Sequence, residues 1–364
     1  MGRILILANM DMGLYKFRKE LIRALLDRGH EGVIGLPDGE FVRPLEAMGC
    51  RFIETPMDRR GADPLRDLQL LIKYDRLVRQ VKPDQVITYT IKPNIYGGMI
   101  CRLHRIPYAA NITGLGTAFQ KESLLKKLVV SMYRSALKRA KVVYFENQEN
   151  KNILLQEGIV RESQTCLLNG AGVNLEDYTY AEYPGDGQDD KIHFLFVGRV
   201  MAEKGVDELF AAAERICAEH ENVCFDIVGP MEDDYRDRIA ALVDSGVIRY
   251  HGYQSDVRPY IRQSHCFVLP SWHEGMANTN LECAAMGRPV ITSDIHGCKE
   301  AVREGISGYL CQKQDTESLY QAMKRFLRLS HEEKVQMGRM GREHMEAVFD
   351  KKKVVEKTIE KLEG

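Results

Sequence analysis

Short apolar runs alternate with longer amphipathic ones along almost the whole chain. In the first half, the runs at 3–8, 32–36, 85–89, 108–112 and 142–146 are compact and apolar, and each reads as a strand. Segments 18–28, 65–81 and 123–139 between them carry apolar residues at helical spacing. The pattern restarts near residue 192. It then predicts strands at 193–197, 223–228, 248–250, 266–269 and 290–292, with helices at 206–219, 234–244 and 280–285. Apolar strands without polar alternation, separated by helices, predict parallel sheets covered on both faces. The restart predicts an α/β protein of two doubly wound Rossmann-like domains, and the polar, turn-rich stretch 180–191 leads into the second sheet. Open parallel sheets bind ligands at the carboxyl ends of their strands. Two such domains facing a cleft are suited to passing a group from one ligand to another.

Composition narrows this little. Of the 364 residues, 44% are hydrophobic and 28% charged, which excludes disordered and fibrous classes. No apolar run approaches the roughly 18–20 residues of a membrane-spanning helix. The apolar stretch at the start is short and is soon followed by Asp11, so it reads as a strand and not as a secretory signal. The nine cysteines show no CxxC spacing, which fits reduced thiols in a cytoplasmic protein and predicts no zinc framework. The net charge of −1 hides an asymmetry: residues 1–170 hold 27 Lys+Arg against 18 Asp+Glu, and the remainder 24 against 34. A basic first half suits an anionic membrane surface, a phosphorylated acceptor or nucleic acid.

Two segments carry candidate chemistry. In 193–205 (HFLFVGRVMAEKG), a strand ends at Gly198, Arg199 follows at once, and Lys204 comes five residues later. A strand-to-helix turn offers free N–H groups and a positive helix end, and Arg with Lys completes a site for two phosphates. It is not a Walker A loop, since GxxxxGK[ST] is absent. In 271–282 (SWHEGMANTNLE), Glu274 falls in the loop after a strand, and Glu282 about one turn into the next helix, for which Asn278 or Thr279 is a candidate cap. A carboxylate pair so placed can hold two polyols, one on a sugar and one on a ribose.

Together these motifs resemble those of the retaining glycosyltransferases of family 4, which have the GT-B fold. Gly198-Arg199 with Lys204-Gly205, and Glu274-x7-Glu282, carry the resemblance; Leu269-Pro270-Ser271, Gly287-x-Pro289-Val290-Ile291 and Asn169-Gly170-x-Gly172-Val173-Asn174 extend it over most of the chain. It implies an acceptor domain at 1–170, a donor domain at 171–345 and a last helix, 346–364, that returns to the first domain. It implies that Arg199 and Lys204 neutralise the donor's diphosphate, that Glu282 holds the ribose and that Glu274 holds the sugar. The N–H groups of Gly275, Met276 and Ala277, with Gly198 and Asn278, would approach the donor. Gly13 would lie in an N-terminal glycine loop that closes on the phosphates. Members of the family generally need no metal, and no Asp-x-Asp cation motif is present; the pairs Asp189-Asp190 and Asp233-Asp234 read as solvated turns. No cofactor is therefore expected beyond the nucleotide-sugar donor, taken to be UDP-linked.

The acceptor belongs to the first half. Lys92 and Asn94 follow one strand, and Thr113 and Gly114 end the next. Both segments resemble transferases that build bacterial capsule, lipopolysaccharide or N-linked glycans on a polyprenyl diphosphate, whose charge would explain a lysine there. The segment 121–141 (KESLLKKLVVSMYRSALKRAK) reads as a basic amphipathic helix, able either to lie on an anionic leaflet or to pack on the sheet. Arg59-Arg60 and 16–19 (KFRK) could extend a membrane face. The expected partners are thus a nucleotide sugar, a polyprenyl-diphosphate-linked acceptor and the inner face of the cell membrane, with no nucleic acid. An epimerase or transferase on soluble substrates, and a non-catalytic nucleotide-sugar-binding protein, are the other readings of the same motifs.

Overall fold

The computed structural model describes residues 1–58, 63–116, 119, 123–185 and 191–364. It divides into one compact unit of Met1–Ala171 with Lys352–Gly364, and a second of Gly172–Lys351.

The first unit holds seven strands: β1 (Arg3–Leu7), β2 (Glu31–Leu36), β3 (Arg51–Glu54), β4 (Gln85–Tyr89), β5 (Tyr108–Ile112), β6 (Val142–Phe145) and β7 (Thr165–Leu167). They pair in parallel in the order β3-β2-β1-β4-β5-β6-β7. Helices must cover both faces of such a sheet, and their apolar stripes show how. Helix Pro64–Val81 starts where the Asp63 carboxylate accepts from the N–H groups of Leu65 and Arg66, and it buries Leu70, Tyr74, Leu77, Val78 and Val81. On the other face, Val354, Ile359 and Leu362 of the last helix pack with Ile4, Ile6 and Tyr144. The Tyr144 hydroxyl donates to the Thr358 carbonyl at 2.6 Å.

The second unit holds β8 (Ile192–Val197), β9 (Val223–Val228), β10 (Ile248–Gly252), β11 (Cys266–Leu269), β12 (Val290–Ser293) and β13 (Gly308–Cys311). They too are parallel, in the order β10-β9-β8-β11-β12-β13. In each sheet the chain starts in the middle, winds to one edge, then returns and winds to the other. The strand order therefore reverses at β1/β4 in the first unit and at β8/β11 in the second. These switch points are where an open α/β sheet leaves a crevice for a ligand.

Three features depart from the sequence reading. The edge strands β3, β7 and β13 were not expected. The first helix runs Asp11–Asp27, so it begins seven residues earlier than its apolar period indicates. Its Arg18 is buried against Glu146, the residue after β6, and lies over the Tyr89 ring at 5.1 Å. Arg18 is therefore spent inside the unit and adds nothing to a membrane face.

Candidate functional site

The donor-side residues gather at the β8/β11 switch point. After β8, Gly198 and Arg199 lead into a single 3-10 turn, Ala202–Lys204, and then helix Val206–Glu219. Gly205 joins the two at φ +71°, and a Cβ there would stand 2.0 Å from the Pro270 carbonyl oxygen. Only glycine permits that approach, which brings the turn against the end of β11. The Trp272 N–H donates to the Glu203 carbonyl at 3.0 Å and ties the two loops together. The Trp272 indole N–H reaches Glu208 on the following helix at 3.2 Å.

This contact sets the chemistry. Lys204 Nζ is ion-paired with Glu274 Oε1. The buried Ser271 hydroxyl donates to the same oxygen at 2.9 Å. A second cation follows the same strand: Arg199 Nη1 pairs with Glu232, in the loop after β9. Glu274 precedes helix Asn278–Ala285, whose N-cap residue, Ala277, has no side chain to cap it. Asn278 thus opens the helix, in place of capping one that starts near Asn280. Its side-chain oxygen is buried without a hydrogen-bond partner. The uncapped helix start, Lys204 and Arg199 together make a strong anion site. Glu282 lies further along the same helix and accepts from the Tyr178 hydroxyl; burial first, then the Glu282 charge, push that phenol well above its ordinary pKa.

Not every expected contact is open. The Ala277 N–H donates to the Gly297 carbonyl at 2.7 Å, so it cannot also serve a sugar or phosphate. The Met276 and Ala277 side chains are core residues. Asp233 accepts from the Ala202 N–H at 2.9 Å, and Asp234 pairs with Arg236. Asp189 and Asp190 lie outside the described residues.

In the first unit, Gly13 sits in the opening turn of helix Asp11–Asp27. It is helical there and forms no glycine loop, because Asp11 anchors the turn by accepting from the Phe41 N–H at 2.7 Å. Asn94 is 1% exposed and its amide is fully used: it accepts from the Thr88 hydroxyl at 2.6 Å and donates to the Asn111 carbonyl at 2.8 Å. It ties β4 to β5 and does not face an acceptor. Thr113 and Gly114 are half-buried just past β5, and nothing lies within 4 Å of a Cβ built on Gly114. Lys92 pairs with Asp67 at 2.8 Å. Burial first, then its hydrogen bond to the same carboxylate, push the Tyr96 phenol well above its ordinary pKa. Lys92 and Asp67 line a pocket of about 440 Å³ with Arg66, Lys73, Asp58 and Met57. Beyond Lys92 the pocket was missed because Arg66 and Lys73 lie on helix Pro64–Val81, where they read as a solvated face.

Two family models match the chain in succession, one described as "Glycosyl transferase 4-like" over residues 3–147 and one as "Glycosyl transferases group 1" over 191–328. The chain is also 26% identical over 331 residues to the N,N'-diacetylbacillosaminyl-diphospho-undecaprenol alpha-1,3-N-acetylgalactosaminyltransferase of Campylobacter jejuni, covering 87% of each. The chain is a family 4 glycosyltransferase. Another relative of this glycosyltransferase is the UDP-Gal:alpha-D-GlcNAc-diphosphoundecaprenol alpha-1,3-galactosyltransferase of Escherichia coli, 28% identical, with 73% of this chain and 72% of that one covered. The Anabaena protein HepE, solved in complex with UDP-glucose, superposes with a TM-score of 0.82 at 18% identity over 100% of this chain and 99% of its own. That likeness is one of fold, and the fold is GT-B.

Proposed function

We propose that this glycosyltransferase moves a hexose or N-acetylhexosamine, with retention of configuration, from a UDP-sugar to a saccharide carried on a polyprenyl diphosphate in bacterial surface-glycan synthesis. The observation that carries the reading is the meeting of Lys204 and Glu274 ahead of an uncapped helix start at the β8/β11 switch point, with Arg199 in the same β8 loop. A transfer through an oxocarbenium-like state depends above all on stabilising the departing diphosphate, and preorganised cations and N–H groups supply that without a metal. Lys204 and Arg199 each rest against a carboxylate, and a donor diphosphate competes for both. Glu274 then turns to the sugar hydroxyls and Glu282 holds the ribose. The E. coli relative's name supports a UDP-linked donor, and both relatives' names support a diphosphoundecaprenol-borne acceptor. A thermal-shift panel of UDP, GDP, ADP and CDP tests the donor: UDP raises the melting temperature and the others do not. Transfer from UDP-sugars to a polyprenyl-diphosphate saccharide, with the product anomer read by NMR, tests the rest. An inverted anomer overturns retention.

Glu274→Ala separates sugar from nucleotide. Transfer falls by at least about 100-fold, the scale of losing one transition-state contact. UDP affinity stays the same or rises, because Lys204 loses the carboxylate that competes for it. Loss of UDP binding in isothermal titration would move Glu274 to the nucleotide.

The acceptor diphosphate is assigned to the pocket of Arg66, Lys73 and Lys92, where Asp67 holds the Lys92 ammonium ready. The membrane face is assigned to the same unit. Helix Leu124–Leu137 divides: Val130, Tyr133, Ala136 and Leu137 are core, while Leu124 and Leu128 are 84% and 58% exposed. The adjoining helices add exposed Leu65, Leu68, Ile72 and Leu103. Exposed Lys73, Arg76 and Lys127 lie on the same helices. Leucines among cations fit an anionic leaflet. No helix among the described residues is long and apolar enough to cross a membrane. Arg59, Arg60 and Lys121 lie outside the described residues. Co-sedimentation with vesicles containing phosphatidylglycerol is expected to weaken with salt, and to fall more than about tenfold in Leu124→Glu/Leu128→Glu, since each buried leucine is worth roughly 1.5–3 kcal/mol. Salt-insensitive binding would remove the assignment.

A further inference from the structure

The amino-terminal ends of β8 and β9, with His251 of β10, bring together a cluster that sugar transfer does not use. His193 of β8 pairs in register with Cys224 of β9. Asp226 is two residues beyond Cys224, so both side chains leave the same face of the sheet. His193 Nδ1 lies 2.8 Å from Asp226 Oδ2 and 3.9 Å from Cys224 Sγ. The donor atoms of these three residues all fall within 4.8 Å of one another. His251 Nε2 stands 2.7 Å from the second Asp226 oxygen. Cys224 is buried, and the side chains of His193 and Asp226 are 12% and 14% exposed. The His265 ring stacks on His193 at 6.0 Å and accepts from the His193 backbone N–H at 3.0 Å, which fixes the strand behind the cluster.

We propose that His193, Cys224 and Asp226 bind one divalent ion of the zinc class, with His251 hydrogen-bonded to Asp226 as an outer partner that orients the carboxylate. Three observations favour it. The donor set of one thiol, one imidazole and one carboxylate, with a water completing the tetrahedron, suits zinc or cobalt and not magnesium or calcium. A tetrahedral ion with bonds of about 2.0–2.3 Å holds its donor atoms roughly 3.3–3.8 Å apart, so the 3.9 Å Cys224–His193 pair is already near that spacing and the 2.8 Å His193–Asp226 hydrogen bond opens by less than about 1 Å. Thiolate and carboxylate together balance the ion's two charges, so a largely buried site stays neutral. Binding releases the Cys224 thiol proton, and the His193 imidazole turns its Nδ1 lone pair inward by changing tautomer. The ion would staple β8 to β9, with β10 tied on through the His251–Asp226 contact, and its His193 ligand lies at the amino-terminal end of β8, away from Arg199 and Lys204, which follow the carboxyl end. It therefore supports the second unit's fold and takes no part in transfer. Cysteine spacing shows nothing of this, because strand register assembles the cluster.

The test uses untagged full-length protein and Co²⁺ or Zn²⁺ alone. One ion binds per chain; the cobalt form shows a thiolate-to-cobalt charge-transfer band; and Zn²⁺ raises the melting temperature. Cys224→Ser abolishes the band, and His251→Gln, at the more exposed edge, weakens zinc by about tenfold or more with the fold unchanged by circular dichroism. UDP binding is the same with and without zinc. A chain that binds no stoichiometric ion, or a band and affinity that survive Cys224→Ser, overturns the site. Neither outcome touches the donor assignment, which is read by UDP binding.

Discussion

Lys204→Ala lowers kcat for transfer from a UDP-sugar by about 10²–10³-fold, the cost of removing one preorganised group from a developing anion. The effect is large because Lys204 cannot be replaced by a neighbour. Its turn is pinned by the approach of Gly205 to Pro270, so its ammonium meets the phosphate without first being ordered. The fold survives. Lys204 and Glu274 are 19% and 13% exposed at their side chains, and the Ser271 hydroxyl still bonds Glu274 when the ammonium is gone. Arg199→Ala costs even less stability, since Arg199 is 47% exposed and such a pair is worth only about 0–1 kcal/mol. It still lowers transfer by roughly ten- to a hundredfold, because the second charge on the leaving group goes unmet. The double variant falls by less than the product of the two, since both cations act on one diphosphate. Steady-state kinetics beside a melting curve decides the matter. Turnover within threefold of the parent in Lys204→Ala, or a collapse of the melting temperature, would take the diphosphate away from this turn.

What the sequence discloses follows from how each feature is built. β1, β4, β8 and β11 are central strands covered on both faces, so they read as apolar runs. β3 is RFIE, with ends exposed and centre half-buried, and β7 has only three residues. An edge strand of that kind has no pattern to detect. The first helix is masked by Arg18, a charged residue where the helical period calls for an aliphatic; its partner Glu146 is 128 residues away. Asn94 misleads for the opposite reason. A polar residue at a strand's carboxyl end suggests a ligand, yet its amide is consumed by Thr88 and Asn111. Arg199 with Lys204, and Glu274 with Glu282, were each legible as a local motif, but their joining into one site was legible only through family resemblance, since Lys204 and Glu274 stand 70 positions apart. No spacing rule relates two loops that meet because β8 and β11 are neighbours. The His193 cluster is hidden in the same way.

Arg288→Met is expected to destabilise the second unit by about 3–5 kcal/mol, the scale of breaking a buried charged network. In sequence, Arg288 is the unremarked position in Gly287-x-Pro289. In the structure it is fully buried, and its hydrogen bonds all go to backbone carbonyls: Ile261, Arg262, Ala181, Glu182 and Gly287, at 2.9–3.3 Å. Burial draws its pKa down to about 10, so it remains charged at neutral pH. The guanidinium joins the segment entering β8, the helix Arg258–Gln263 before β11 and the turn before β12. Methionine fills the space but removes the guanidinium; the Ile261 carbonyl keeps the Ser264 hydroxyl and N–H as donors, and each of the other carbonyls left without a donor costs roughly 1–3 kcal/mol unless water reaches it. Lysine retains the charge but has three donors on a point-like ammonium in place of a planar fork, so Arg288→Lys recovers less than half of the loss. Urea denaturation followed by Trp272 fluorescence reads this directly, because the single tryptophan lies in the same unit. The midpoint falls in both variants, further in Met than in Lys, while UDP affinity at low denaturant is unchanged. A loss below about 1 kcal/mol in Arg288→Met would mean that the carbonyls of Arg262, Ala181, Glu182 and Gly287 find other donors. The staple would then have to be sought in the apolar contacts of β11 and β12.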